Sequence, residues 1–129
     1  MARLAVTAFT PPGSYPAALP LVADAADFTF TGPGVAADGI SFLNVGREIL
    51  LARNIHATNA ATVTISSVAY LGRTGDITAY SLAAGDFAAF GPFDPTGWNQ
   101  SGGLVYAVGS ATDIKFAVLK LDSNIFPRA

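Results

Sequence analysis

An antiparallel β-sandwich is the fold this sequence predicts, and three observations predict it. Short apolar segments rich in β-branched and aromatic residues recur roughly every 8–12 residues. Clusters of Gly, Pro, Asp and Ser separate them. No window sustains a helical period beyond about two turns. About eight strands are expected, and a jelly-roll connection order is one form such a sandwich takes.

The elements follow in order. Residues 2–9 alternate in part, with Leu4 and Val6 on one face, and read as a first strand. Residues 10–20 hold four prolines; proline removes donors and fixes φ, so this stretch reads as an extended arm. Residues 21–26 could make a short helical turn. Residues 27–31 (DFTFT) alternate again as a strand, and 32–39 form a glycine-punctuated loop. Strands are expected at 40–43 and at 47–55, where Ile49, Leu51 and Ile55 share one face and Arg53 interrupts it. Residues 62–70 form the cleanest strand, since β-branched residues there disfavour helix. The doublet Ser66-Ser67 shifts its phase, and a bulge there would bring Val68 and Tyr70 into line. Residues 76–82 carry Ile77 on one phase and Tyr80 and Leu82 on the other. Further strands are expected at 86–90, 104–108 and 113–121. Residues 91–97 hold two prolines and read as a loop. The chain thus divides into residues 1–20, a strand and Pro-rich arm, and residues 21–129, a single sandwich domain.

Composition bounds the function. The chain has 129 residues, of which 51% are apolar and 12% charged; an average soluble domain has roughly 25% charged residues. So little charge suggests that other subunits cover part of the surface. The competing reading is an Ala-rich, uncharged surface that stays wetted. The seven basic residues are scattered and the net charge is −2, so no nucleic-acid footprint is visible. Cysteine is absent, which removes disulfides, thiol nucleophiles and cysteine-ligated zinc. The N-terminus has no charged region followed by an apolar run, so no secretory signal is expected. No apolar stretch reaches the ~20 residues that span a bilayer, and no membrane partner is expected.

Candidate chemistry is sparse. His56 is the sole histidine and falls in a predicted turn, where a Ser–His–Asp triad would need it as base. Glu48 is the only glutamate, and the aspartates sit mostly at strand starts and turns, where they accept local backbone bonds. The calcium-loop spacing D-x-D-x-D-G does not occur, nor does a phosphate loop ending in G-K-[ST]. The expectation is therefore no enzyme, no metal and no cofactor. The one tryptophan, Trp98, stands near Phe93 in the predicted loop. It reads as a sugar-stacking platform, an interface anchor, or a residue capping the core under the loop.

Residues 46–54 (GREILLARN) and 84–99 (AGDFAAFGPFDPTGWN) resemble small virion proteins of tailed bacteriophages, most closely head decoration (cement) proteins, with the similarity running over about residues 38–121. The resemblance implies a β-rich, non-enzymatic subunit, commonly trimeric, on the outer capsid surface, with the major capsid protein as partner. An N-terminal arm is frequent in that family. On this reading Pro11, Pro12, Tyr15 and Pro16 of the arm, and Phe93 and Trp98 of the loop, are the expected contact residues. Two alternatives stay open: another virion part, such as a tail-tube, connector or fibre-base protein, and a carbohydrate-binding sandwich using Trp98.

Overall fold

The structure, a computed structural model, describes residues 3–11, 23, 26–69, 72 and 75–121. Eight strands lie among them: β1 (Leu4–Ala5), β2 (Ile40–Leu43), β3 (Glu48–Asn54), β4 (Ala61–Ser66), β5 (Ile77–Leu82), β6 (Phe87–Phe90), β7 (Leu104–Gly109) and β8 (Ile114–Lys120). They form two sheets, ordered β1-β2-β7-β4-β5 and β6-β3-β8. All strand pairings are antiparallel except that of β1 with β2. The all-β sandwich expected from the sequence is what forms. From β2 onward only β4 and β5 join as a hairpin; every other link carries the chain from one sheet to the other.

That crossing pattern buries one apolar layer. Ile40, Phe42, Val63, Ile65, Val105 and Ala107 of the larger sheet face Leu50, Ala52, Phe116 and Val118 of the smaller. The larger residues in this layer each contribute about 1.5–3 kcal/mol through burial. Alternation is regular in β4 and β7, where every second side chain is buried.

Strand β3 lies centrally between β6 and β8 and is apolar on both faces. Leu50 and Ala52 point into the core, whereas the Ile49 and Leu51 face points away from it. At the two ends of the strand, the inward positions are the polar residues Glu48 and Asn54, both essentially fully buried. Each is occupied with backbone groups of other segments. Glu48 Oε1 accepts from the Val45 N–H at 2.9 Å and the Arg47 N–H at 3.1 Å. Asn54 Nδ2 donates to the carbonyls of Asn59 and Leu82, and its Oδ1 accepts from the His56 N–H. These bonds replace the water that a buried polar group loses.

The bulge lies elsewhere than at Ser66-Ser67. β4 ends at Ser66, and the register shift falls where Val63 pairs with Tyr80 and Ile65 with Ile77. Two residues of β4 thus span three of β5, and Ala79 adopts φ +52°. The extra residue in β5 reconciles the two phases of that strand, so that Ile77 and Leu82 both pack on the core.

The N-terminal segment belongs to both sheets. The Val6 N–H donates to the Ser41 carbonyl at 2.9 Å, and Val6 is buried. Three residues on, Phe9 exchanges backbone bonds with β8, donating to Val118 and accepting from Lys120. Thr31 pairs with Phe116 on the same edge. It is the paired residue of the 27–31 segment, which is otherwise not strand. The loop 32–39 contains a short 3-10 turn at Ala36–Asp38. The proline loop contains one helical turn, α1 (Pro95–Trp98), started by Asp94 accepting from the Thr96 N–H at 3.0 Å and by Pro95 in the first turn. Pro12, Tyr15 and Pro16 of the expected arm, and most of the 21–26 turn, lie outside the described residues.

Candidate interaction surface

The two outer faces of the sandwich differ in chemistry. A half-solvated antiparallel sheet ordinarily shows polar residues outside. The larger sheet is mixed, with Thr62, Thr64 and Ser66 of β4 and Ser81 of β5 outward beside Leu43, Leu104 and Val108. Arg3 stacks there on the Tyr106 ring at 3.8 Å. The smaller sheet departs from the rule. Its outward residues, set by strand register, are Ile49, Leu51 and Arg53 of β3, Phe87 and Ala89 of β6, and Lys115, Ala117 and Leu119 of β8, apolar but for the two cations at one end.

A row of phenylalanines crosses this face. Ring centroids are 6.0 Å apart for Phe9 and Phe28, 5.6 Å for Phe28 and Phe30, and 6.1 Å for Phe30 and Phe87. Phe9 starts beside β8 and Phe87 stands on β6, so the row spans the sheet. The segment carrying Phe28 and Phe30 contributes to its covering, and the outward Ala117 is only 3% exposed. Cover is incomplete: Phe87 stays 62% exposed and Phe28 39%. Between them lies a groove of about 360 Å³ lined by Phe28, Phe30, Leu51, Phe87, Ala88 and Ala89. Arg53 holds its guanidinium 5.0 Å from the Phe87 ring, a cation–π contact at the rim.

The residues singled out from sequence fall elsewhere. Phe93 is a core residue, 3% exposed, between Phe42 at 6.0 Å and Trp98 at 5.1 Å. Trp98 is half-buried and packs on the core edge-to-face with Phe93. Pro11 is half-buried. His56 Nδ1 accepts from the backbone N–H groups of Thr58 and Asn59, which organises the 56–59 turn. Among the described residues no three His, Cys, Asp or Glu side chains come together. The sequence signal for the aromatic face was present in two places: the alternating Phe28 and Phe30, and the double apolar phase of β3, which marks a strand covered on both sides.

Fold and surface together define a class: a two-sheet β-sandwich with one mixed and one predominantly apolar, aromatic-rich outer face. Compared with protein-family models, characterised proteins and solved structures, the chain matches none.

Proposed function

We propose that this chain is a non-enzymatic structural subunit that works through contact, and that it is a head decoration protein of a tailed phage, bound by its aromatic face to the major capsid protein on the outer capsid surface. The observation that carries the contact reading is the outer face of β6-β3-β8, apolar over all but the end held by Arg53 and Lys115, where solvent would call for polar residues throughout. The phage reading adds the resemblance of residues 46–54 and 84–99. Those segments contain β3, β6 and α1, so they include two of the three strands of that sheet. The task such a subunit performs is mechanical. Apolar area buried across several capsid proteins stabilises the assembled shell at about 25 cal/mol per Å², before association costs. Repetition over the lattice multiplies the gain.

The test is co-sedimentation with undecorated, expanded capsids of the encoding phage. Wild-type chain is expected to bind to saturation, and Phe28→Asp with Leu51→Lys to bind at least about tenfold more weakly. Equal binding by this variant removes the aromatic face from the proposal, and no binding by the wild type removes the capsid. Deleting residues 1–20 is unsuited to testing the arm, because Val6 belongs to the core. Tyr15→Ser probes the arm without touching that strand. Co-purification with tails instead favours another virion part. A glycan-dependent change in Trp98 fluorescence favours the carbohydrate reading, against which stands the engagement of that ring with Phe93.

A further inference from the structure

The four sheet edges are not equally protected. Exposed edges recruit other strands unless something blunts them. β1 is two residues long. The outer edge of β8 is taken by Phe9 and Thr31. β5 carries its bulge at Ala79. β6 has none of these devices: its four residues, FAAF, contain no charge and no proline, and no described strand lies beyond it.

The direction of its free groups follows from the ladder. The Asn54 N–H donates to the Asp86 carbonyl, and the Gly85 N–H to the Asn54 carbonyl. Antiparallel pairs alternate, so Ala88 and Phe90 exchange bonds with β3. The N–H and C=O groups of Phe87 and Ala89 therefore point outward.

We propose that β6 is a self-association edge, pairing antiparallel with β6 of a second copy about a two-fold axis through Ala88. Only one register uses all four free groups within the strand: Phe87 opposite Ala89 of the second copy, and Ala89 opposite its Phe87. It also keeps the outer faces on the same side, which a one-residue slip would reverse. Each exposed Phe87 then stands against a small residue, beside the groove lined by Leu51 and Phe30. The interface is self-complementary, as a two-fold contact requires.

The side chains of the joined sheet suit this pairing, and their area sets its strength. Across the joined sheet one row reads Lys115, Arg53, Phe87, then Ala89, Leu51 and Ala117 of the second copy. The centre is apolar and the cations lie at the rim. Phe87 is 62% exposed and Phe28 39%. At about 200 Å² per aromatic side chain they leave roughly 200 Å² open per copy. A standard interface takes about 800 Å² from each partner. The exposed aromatic area falls short of that, so the pairing is weak, with a dissociation constant on the order of 1–100 μM.

Sedimentation of the purified full chain, from roughly 1 to 500 μM, tests this without any capsid, so it stands apart from the decoration reading. A monomer–dimer equilibrium is expected. Phe87→Asp and Ala89→Pro, the latter removing an outward N–H that β3 does not use, should each weaken it at least about tenfold while the far-UV spectrum stays that of the wild type. The chain has no cysteine, so Ala88→Cys reports the axis directly. Facing Ala88 residues form a non-hydrogen-bonded pair with Cα atoms about 4.5 Å apart, within disulfide reach. Mild oxidation should link this variant into a dimer. A wild type monomeric throughout, a trimer, self-association unchanged in folded Phe87→Asp, or an Ala88→Cys chain that stays unlinked, each overturns the proposal.

Discussion

Asn44 and Asn99 hold each other reciprocally: Asn44 Nδ2 donates to Asn99 Oδ1 at 2.7 Å, and Asn99 Nδ2 donates to the Asn44 carbonyl at 3.0 Å. Asn44 Nδ2 also donates to the Phe93 carbonyl at 3.1 Å, and its Oδ1 accepts from the Gly46 N–H. One buried amide thus joins the β2–β3 turn to both ends of the α1 loop, and with it holds the Phe93 and Trp98 rings on the core. Removing it leaves buried backbone groups without partners. Asn44→Ala should lower unfolding free energy by about 2–4 kcal/mol, and Asn99→Ala by about 1–2 kcal/mol, since the Phe93 bond survives. Urea denaturation followed through Trp98 fluorescence measures both. A loss under about 0.5 kcal/mol for Asn44→Ala would contradict this role.

Gly109 ends β7 against the β7–β8 turn. A Cβ at this position would stand 2.7 Å from Ile114 Cβ, and Ile114 is buried. Gly109→Ala is expected to cost about 1–3 kcal/mol through overpacking. The double variant with Ile114→Gly, which removes the Cβ met at 2.7 Å, should lose less than the sum of the two single losses, which a double-mutant cycle reads directly.

Ala79 holds φ +52° on an edge strand with its side chain exposed. Glycine relieves the left-handed penalty and costs some unfolded-state entropy, so Ala79→Gly should change stability by less than about 1 kcal/mol, in the stabilising direction. Ala79→Val should destabilise by at least about 1 kcal/mol. Thermal melts that rank Val above Gly at this position would refute the bulge geometry.

Asp76 accepts from the Ser67 hydroxyl and the Ser67 N–H, both at 2.7 Å. The hydroxyl first, and then the N–H, hold its carboxyl below the ordinary carboxylate range. A folded value below the unfolded one means a contribution present above the unfolded value. It is lost as pH falls through the folded one. Stability measured from pH 6 down to about pH 2 should therefore fall less steeply in Asp76→Asn than in the wild type. An unchanged acid limb would mean that the bond does not persist in solution.

Much of the strand layout was legible because it rests on local chemistry. β2 falls on the expected residues 40–43, and β3, β6, β7 and β8 lie within a residue or so of their expected ends. Turn residues and β-branched runs mark such segments without help from distant contacts. The candidate surface was less legible. Phe93 and Trp98 stood out as loop aromatics, yet Asn44, some fifty residues away in sequence, ties that loop down and turns Phe93 inward. No local pattern near Phe93 records that bond.

The apolar residues of β3 show where the division falls. Its sequence determines a strand with apolar residues on both faces, and nothing within the strand ranks Leu50 and Ala52 above Ile49 and Leu51. Only the tertiary structure decides that the first pair meets the opposite sheet. The buried Glu48 and Asn54 share their face, and the loop backbones that they bond, at Val45 and Asn59, lie at the ends of the core layer. The second pair is left to the outer face, where Phe28 and Phe30 cover it in part and Phe87 remains open. An all-β fold of low charge follows from composition and periodicity, which are local. Which side of its smaller sheet stays exposed follows from long-range pairing, which is not.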